Sequence, residues 1–203
     1  KRSPLARITW FTIRHLIMGI WKSLGRFALK VMGWKLVGEI PEGVDKCVIP
    51  VAPHTCIEDF ILGRLAYCSV DKPVKFLIKK EFFDNPILRP LLKKLGGIPV
   101  DRSRNNNTVA QVAALFKEYD TLNIVITPEG TRKLVHHWKK GFYYIAEKAH
   151  VPIVLGFIDF KKKELGFGPM FYPSGNFDED WKIMEEFYRG ITAKYPDRYN
   201  LSN

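Results

Sequence analysis

The segment Pro53-His54-Thr55-Cys56-Ile57-Glu58-Asp59-Phe60 concentrates residue types suited to acid–base chemistry. An imidazole titrates near neutrality and can take a proton from a hydroxyl as its oxygen attacks a carbonyl. A neighbouring carboxylate fixes the tautomer and stabilises the imidazolium that forms. On one continuous helix, side chains five apart diverge by about 140°. His54 therefore meets Asp59 only if it sits in the turn before the helix and folds back over the first turn. Thr55 is the expected cap of that helix, with Glu58 returning the bond in a capping box. Two other readings stand beside this one: His54 makes a local hydrogen bond in a strand-to-helix turn, or Cys56 is a covalent nucleophile.

Two further segments, Gly96-Gly97-Ile98-Pro99-Val100-Asp101-Arg102 and Thr127-Pro128-Glu129-Gly130-Thr131-Arg132, place an arginine just beyond an apolar run. Two convergent guanidiniums suit a phosphate monoester, because each planar fork donates paired hydrogen bonds to its oxygens. Gly130 permits a turn and a close approach of backbone. Glu129 is suited to accept from a substrate hydroxyl or to hold an arginine in place. The alternative is a set of loop ion pairs. Neither segment has the glycine spacing of a P-loop or a dinucleotide fingerprint, so nucleotide hydrolysis is not supported.

These residues need a scaffold. From Leu36 onward, short β-branched runs alternate with helical patterns, which predicts a single α/β domain whose sheet is covered by helices. The expected strands are Lys46 to Val51, Val74 to Ile78, Ile98 to Val100, Leu122 to Ile126 and Pro152 to Phe157, with a further one at Met170 to Tyr172 among turn-forming glycines and prolines. Asn85 and Pro86 open a helix in which Leu88, Leu91, Leu92 and Leu95 repeat on one face, a pattern that predicts core packing. Thr108 and Gln111 form an expected capping box ahead of Val109, Val112, Ala113 and Phe116. Phe142, Ile145, Ala146 and Ala149 mark another helix, and 178–192 a last one, followed by a tail.

Charge is concentrated at one end of the chain. The formal net charge is +11, and residues 1–38 contain Lys1, Arg2, Arg7, Arg14, Lys22, Arg26, Lys30 and Lys35 with no acidic residue. No apolar stretch there reaches the roughly 18 residues that span a bilayer. At 100° per residue, the basic side chains from Arg7 to Lys30 fall within an arc of about 160°. Ile13, Ile17, Ile20, Leu24, Phe27 and Val31 take the opposite face, and Trp10, Trp21 and Trp34 suit the headgroup boundary. This predicts that residues 1–35 form a basic amphipathic segment docking on an anionic membrane surface, peripheral or monotopic. An ordinary helix packed on its own domain is the alternative. Cys47, Cys56 and Cys68 form no CxxC pair, and an odd number cannot all pair within the chain, so a reducing compartment fits better than a disulfide framework. No zinc-site spacing is present. The basic charge alone permits a nucleic-acid partner, but no binding motif accompanies it, and none is expected.

Taken together in order and spacing, these segments and Val151-Pro152-Ile153-Val154 resemble the four blocks of the glycerolipid acyltransferase family that includes 1-acylglycerol-3-phosphate acyltransferases. His54 and Asp59 match the first block, Gly97, Ile98 and Arg102 the second, Pro128-Glu129-Gly130-Thr131-Arg132 the third and Pro152 with its neighbours the fourth. The resemblance implies that His54 is the general base and Asp59 its partner. It implies that Arg102, Glu129, Gly130, Thr131 and Arg132 bind the acceptor, chiefly around its phosphate. It further implies a fatty acyl thioester of coenzyme A or acyl carrier protein as co-substrate, lysophosphatidic acid or a related lysolipid as acceptor, no bound metal or cofactor, and a site at the cytoplasmic membrane face. Pro53, Pro99 and Asp101 depart from common family residues and bear on acceptor identity. An acceptor without phosphate, such as an acylated amino acid, and a non-catalytic lipid-binding module are the competing readings.

Overall fold

The computed structural model describes residue 19 and residues 22–70, 74–101 and 105–201, with backbone only at 105–107. Among the described residues seven strands form one sheet: β1 (Lys35–Val37), β2 (Lys46–Ala52), β3 (Val74–Lys79), β4 (Gly97–Val100), β5 (Leu122–Ile126), β6 (Ile153–Asp159) and β7 (Glu164–Phe171). Their spatial order is β1-β7-β6-β2-β5-β3-β4. Strands β4, β3, β5, β2 and β6 run parallel, whereas β7 is antiparallel to β6 and carries β1 parallel to itself. The sheet is therefore mixed, with its parallel part holding the motifs.

Strand periodicity explains the layering. Along β2, Val48 and Ala52 join one apolar cluster while Cys47, Ile49 and Val51 join the other. Leu122 and Ile124 against Val125 of β5, and Ile153, Leu155 and Phe157 against Val154 of β6, divide in the same way. Strands apolar on both faces need helices on both sides. On one side lie α4 (Asn105–Glu118), α5 (Gly141–Ala149) and α6 (Phe177–Arg189), contributing Phe116, Phe142 and Trp181 among others; on the other lie α1 (residues 22–31) and α2 (Glu58–Cys68), contributing Leu29 and Leu62. The remaining helix, α3 (Leu88–Lys94), stands beside the edge strand β4 and buries none of its residues. The predicted leucine core is thus corrected: Leu88 and Leu91 are exposed, and Leu92 and Leu95 line a cleft. An edge strand has no second neighbour against which such a helix could bury its stripe.

The capping expectations also change. Helix α2 has no side-chain cap, and Glu58 pairs with Lys194 instead of returning to Thr55. Helix α4 begins at Asn105, so Thr108 lies within it and its hydroxyl donates to the Asp101 carbonyl. Asn85 does act locally, its Oδ1 accepting from Ile87 and Leu88 N–H. β7 begins well before the expected Met170 and β1 was not anticipated, since three residues are too few to show a period.

Most of the basic N-terminal segment lies outside the described residues. Its visible part, α1, buries Leu29 and sets Gly25 so near α2 that a Cβ there would lie 2.7 Å from Ser69 Oγ and 2.9 Å from the Leu65 carbonyl oxygen. Leu24, Phe27 and Val31 of the expected apolar face remain exposed. Helix α1 thus packs on its own domain through one stripe while presenting another. No described helix is long and apolar enough to cross a membrane.

Candidate active site

Because β2 and β5 are adjacent and parallel, with Ile49 opposite Val125 and Pro50 opposite Ile126, their carboxyl ends deliver residues 53–59 and 127–132 side by side. Open parallel sheets bind ligands at this edge. Here a cleft of about 570 Å³ runs between α2, β3, α3 and α5. Its walls include Phe60, Tyr67, Phe76 and Leu92, and its polar groups include His54, Asp59, Arg132 and Lys139. The cleft is mostly apolar with convergent polar groups, which suits a hydrocarbon-bearing substrate.

His54 precedes α2 and its ring folds back over the first turn, placing Nδ1 3.2 Å from Asp59 Oδ2. The same Oδ2 accepts the backbone N–H groups of Thr55 at 2.7 Å and Cys56 at 2.9 Å, while Oδ1 accepts the Cys56 thiol at 3.0 Å. Asp59, not Thr55, therefore ties down the donors that begin the helix, and it does so with the carboxylate that faces the imidazole. Burial pushes the Asp59 pKa up, but the hydrogen bonds from His54, Cys56 and Thr55 outweigh it and hold the carboxyl below its ordinary value. With Nδ1 engaged, Nε2 is the nitrogen left for substrate.

Cys56 is a poor nucleophile in this setting. Burial, followed by its hydrogen bond to Asp59, pushes the thiol to about 12, so it stays protonated at neutral pH. The covalent-cysteine alternative is not supported.

Glu129 stands behind His54 rather than on the cleft surface. It is only 2% exposed, and its Oε1 accepts the His54 backbone N–H at 2.9 Å. The sequence reading expected it among the acceptor ligands; in the fold it supports the turn that carries His54. Burial raises its pKa to about 8, the His54 N–H opposing and the Asp59 charge adding to the shift. The second oxygen has no hydrogen-bond partner among the described residues, which suits a neutral carboxyl.

Gly130 adopts φ +68°, and a Cβ there would lie 2.9 Å from Lys139 Nζ. Glycine thus allows both the turn and the overlying lysine chain. Arg132 lines the cleft. Thr131 is exposed, with its hydroxyl oxygen accepting from Lys133 N–H. Arg102 lies outside the described residues, although β4, whose exit leads to it, ends on the same sheet edge. Lys139 was missed by the sequence reading. A signal existed: Lys139 and Lys140 directly precede α5, where the helix dipole disfavours cations unless an anion is near. The tail was also missed, because Tyr195 N–H reaches Thr55 Oγ1 at 3.4 Å and Lys194 bonds Glu58.

The model of the family described as Acyltransferase matches residues 38–155, more than half of the chain. This chain belongs to the acyltransferase family. The matched stretch runs from β1's exit through the middle of β6 and includes both sides of the cleft. The acyltransferase also resembles the crystal structure of the 1-acyl-sn-glycerophosphate (LPA) acyltransferase PlsC from Thermotoga maritima. The TM-score is 0.58 at 20% identity, over 88% of this chain and 80% of that one, a likeness of fold. No curated protein matches the sequence.

The Glu129 arrangement leads to a paired prediction for this acyltransferase. Glu129→Gln keeps an oxygen for the His54 N–H and retains most activity, whereas Glu129→Ala leaves that donor unpaired and lowers kcat about 10- to 100-fold, by analogy with the ~1–3 kcal/mol cost of an orphaned buried donor. The pH dependence has a definite sign. The folded state holds an extra proton between the ordinary value of 4.5 and about 8, so Glu129's contribution to stability is complete below that window and declines as pH rises through it. Denaturation measured across this range should show a shallower decline in Glu129→Gln; identical slopes would remove the assignment.

Proposed function

We propose that the acyltransferase moves a fatty acyl group from a thioester of coenzyme A or acyl carrier protein to the free hydroxyl of 1-acylglycerol-3-phosphate, forming phosphatidic acid. The observation that carries this reading is the His54 Nδ1–Asp59 Oδ2 contact at the mouth of an apolar cleft that also holds Arg132 and Lys139. The activity of the Thermotoga maritima relative, an LPA acyltransferase, supports the choice of acceptor. In this mechanism His54 Nε2 removes the hydroxyl proton, and the oxygen attacks the thioester carbonyl. The tetrahedral oxyanion collapses with loss of the thiolate, which takes the proton back from His54. Asp59 holds Nδ1–H throughout. Arg132 and Lys139 hold the acceptor phosphate, with Arg102 assigned to the same group from its place in the motif. The basic N-terminal segment docks on an anionic membrane surface and keeps the cleft near its lipid substrate.

Products formed from a panel of lysolipids with both donor types, identified by mass spectrometry, test this reading directly. Phosphatidic acid is the expected principal product. Replacing Arg132 or Lys139 by Ala should lower kcat/KM for phosphate-bearing acceptors about 10- to 100-fold, as expected for loss of a charged hydrogen bond of ~1.5–3 kcal/mol, while sparing acceptors without phosphate. Equal losses for both classes would dismiss the phosphate assignment.

A further inference from the structure

An unexplained apolar surface lies beside the cleft. Within residues 80–94, Phe82 is 53% exposed, Ile87 80% and Leu91 52%, and Leu88 joins them at 37%. Four large apolar side chains on one short segment are unusual on a monomer surface and mark a contact with something else. Helical geometry connects them to the cleft. At 100° per residue, Ile87, Leu91, Leu95, Leu88 and Leu92 occupy an arc of about 140°. Leu92 and Leu95 line the cleft, whereas Leu88 and Leu91 continue the same stripe into solvent. The hydrocarbon-facing wall thus runs outward without a polar break.

Charge identifies the occupant. Lys79, Lys80, Arg89, Lys93 and Lys94 belong to the same segment and outnumber Glu81 and Asp84, although Arg89 Nε donates to the Phe83 carbonyl. Exposed apolar side chains on a basic segment suit the boundary between acyl chains and anionic headgroups. We propose that the 3₁₀ turn at Lys80–Phe83 and the exposed face of α3 insert into an anionic lipid leaflet, so that an acyl chain slides from the bilayer along the leucine stripe into the cleft. This surface is separate from the N-terminal helix and rests on the reading of the cleft as a lysolipid site.

An environment-sensitive fluorophore on Ile87→Cys tests the insertion in the full chain, in a Cys68→Ser background because Cys47 and Cys56 are buried. The same label on Asp120→Cys, exposed before the amino end of β5 and so across the sheet from the cleft mouth, is the control. With phosphatidylglycerol-containing vesicles, the label at 87 should shift to the blue and be quenched by brominated acyl chains, while the label at 120 stays in water. A label at 87 that remains in water with the chain bound, a chain that does not bind, or shielding only by an acidic carrier protein would overturn the proposal. The double variant Ile87→Glu/Leu91→Glu should lose at least about tenfold in turnover of vesicle-borne acceptor, from lost apolar burial, yet retain turnover of a dispersed short-chain acceptor. Equal loss on both acceptors would also reject it. If the wild type acylates neither acceptor while the label still enters the bilayer, the docking surface stands and the proposed reaction falls.

Discussion

His54→Ala is expected to lower turnover about 10²- to 10⁴-fold, the range associated with a positioned general base, while the protein stays folded. The ring pairs with Asp59, and the His54 backbone N–H that bonds Glu129 survives the substitution. The side chain is also 20% exposed, so its removal opens no sealed core cavity. Asp59 keeps its two backbone donors and the Cys56 thiol, so the start of α2 should hold. Single-turnover acyl transfer, read beside a thermal melt and vesicle binding, separates chemistry from folding and docking. A folded variant with near wild-type single-turnover rate would remove His54 from the base role.

Asp59→Asn should be similarly damaging, with a loss of about 10²- to 10⁴-fold, and should additionally alter stability. The amide oxygen can take the place of Oδ2 and keep the Thr55 and Cys56 N–H groups paired. Its nitrogen then replaces Oδ1, which accepts the thiol, so Cys56 must turn. The negative charge that favours the imidazolium is gone in either orientation. In the wild type, the depressed Asp59 pKa means that its contribution to stability is present above the ordinary carboxylate value and is lost as pH falls through the folded value. The Asn variant should be less stable near neutrality and lack that part of the acid-side decline. Denaturant titrations at several acidic pH values check the second effect, and a wild-type acid profile in the variant would show that Asp59 is not the titrating group.

The parallel core was legible because Val, Ile and Leu runs such as 122–126 are bounded by polar turns and need no tertiary information to stand out. β1 and most of β7 were not, since Gly166, Gly168 and Pro169 obscure any alternation and their pairing depends on distant strands. The turn before α2 was placed from the Thr55 and Glu58 capping box, and the five-residue separation of His54 and Asp59 added only that the pair needs such a turn to meet; the placement held although the cap did not form. The cap was misread because Thr55 and Glu58 satisfy a local rule, whereas Lys194 and Tyr195, remote in sequence, engage both in the fold. Glu129 was grouped with the acceptor-binding residues because it shares their motif, but its burial behind His54 depends on how β2 and β5 pair. Leucine spacing alone showed the stripe on α3 without revealing that the sheet ends there.

The contacts of Lys194 and Tyr195 with the turn carrying His54 have a consequence for biosynthesis. Thr55 and Tyr195 are separated by 140 positions, and Trp138 Nε1 donates to the Asn200 carbonyl still further along. A nascent chain with residues 194–200 still inside the ribosomal tunnel can lay down its central strands, but it lacks these contacts on its histidine turn. That clasp forms only once Lys194 and Tyr195 have emerged.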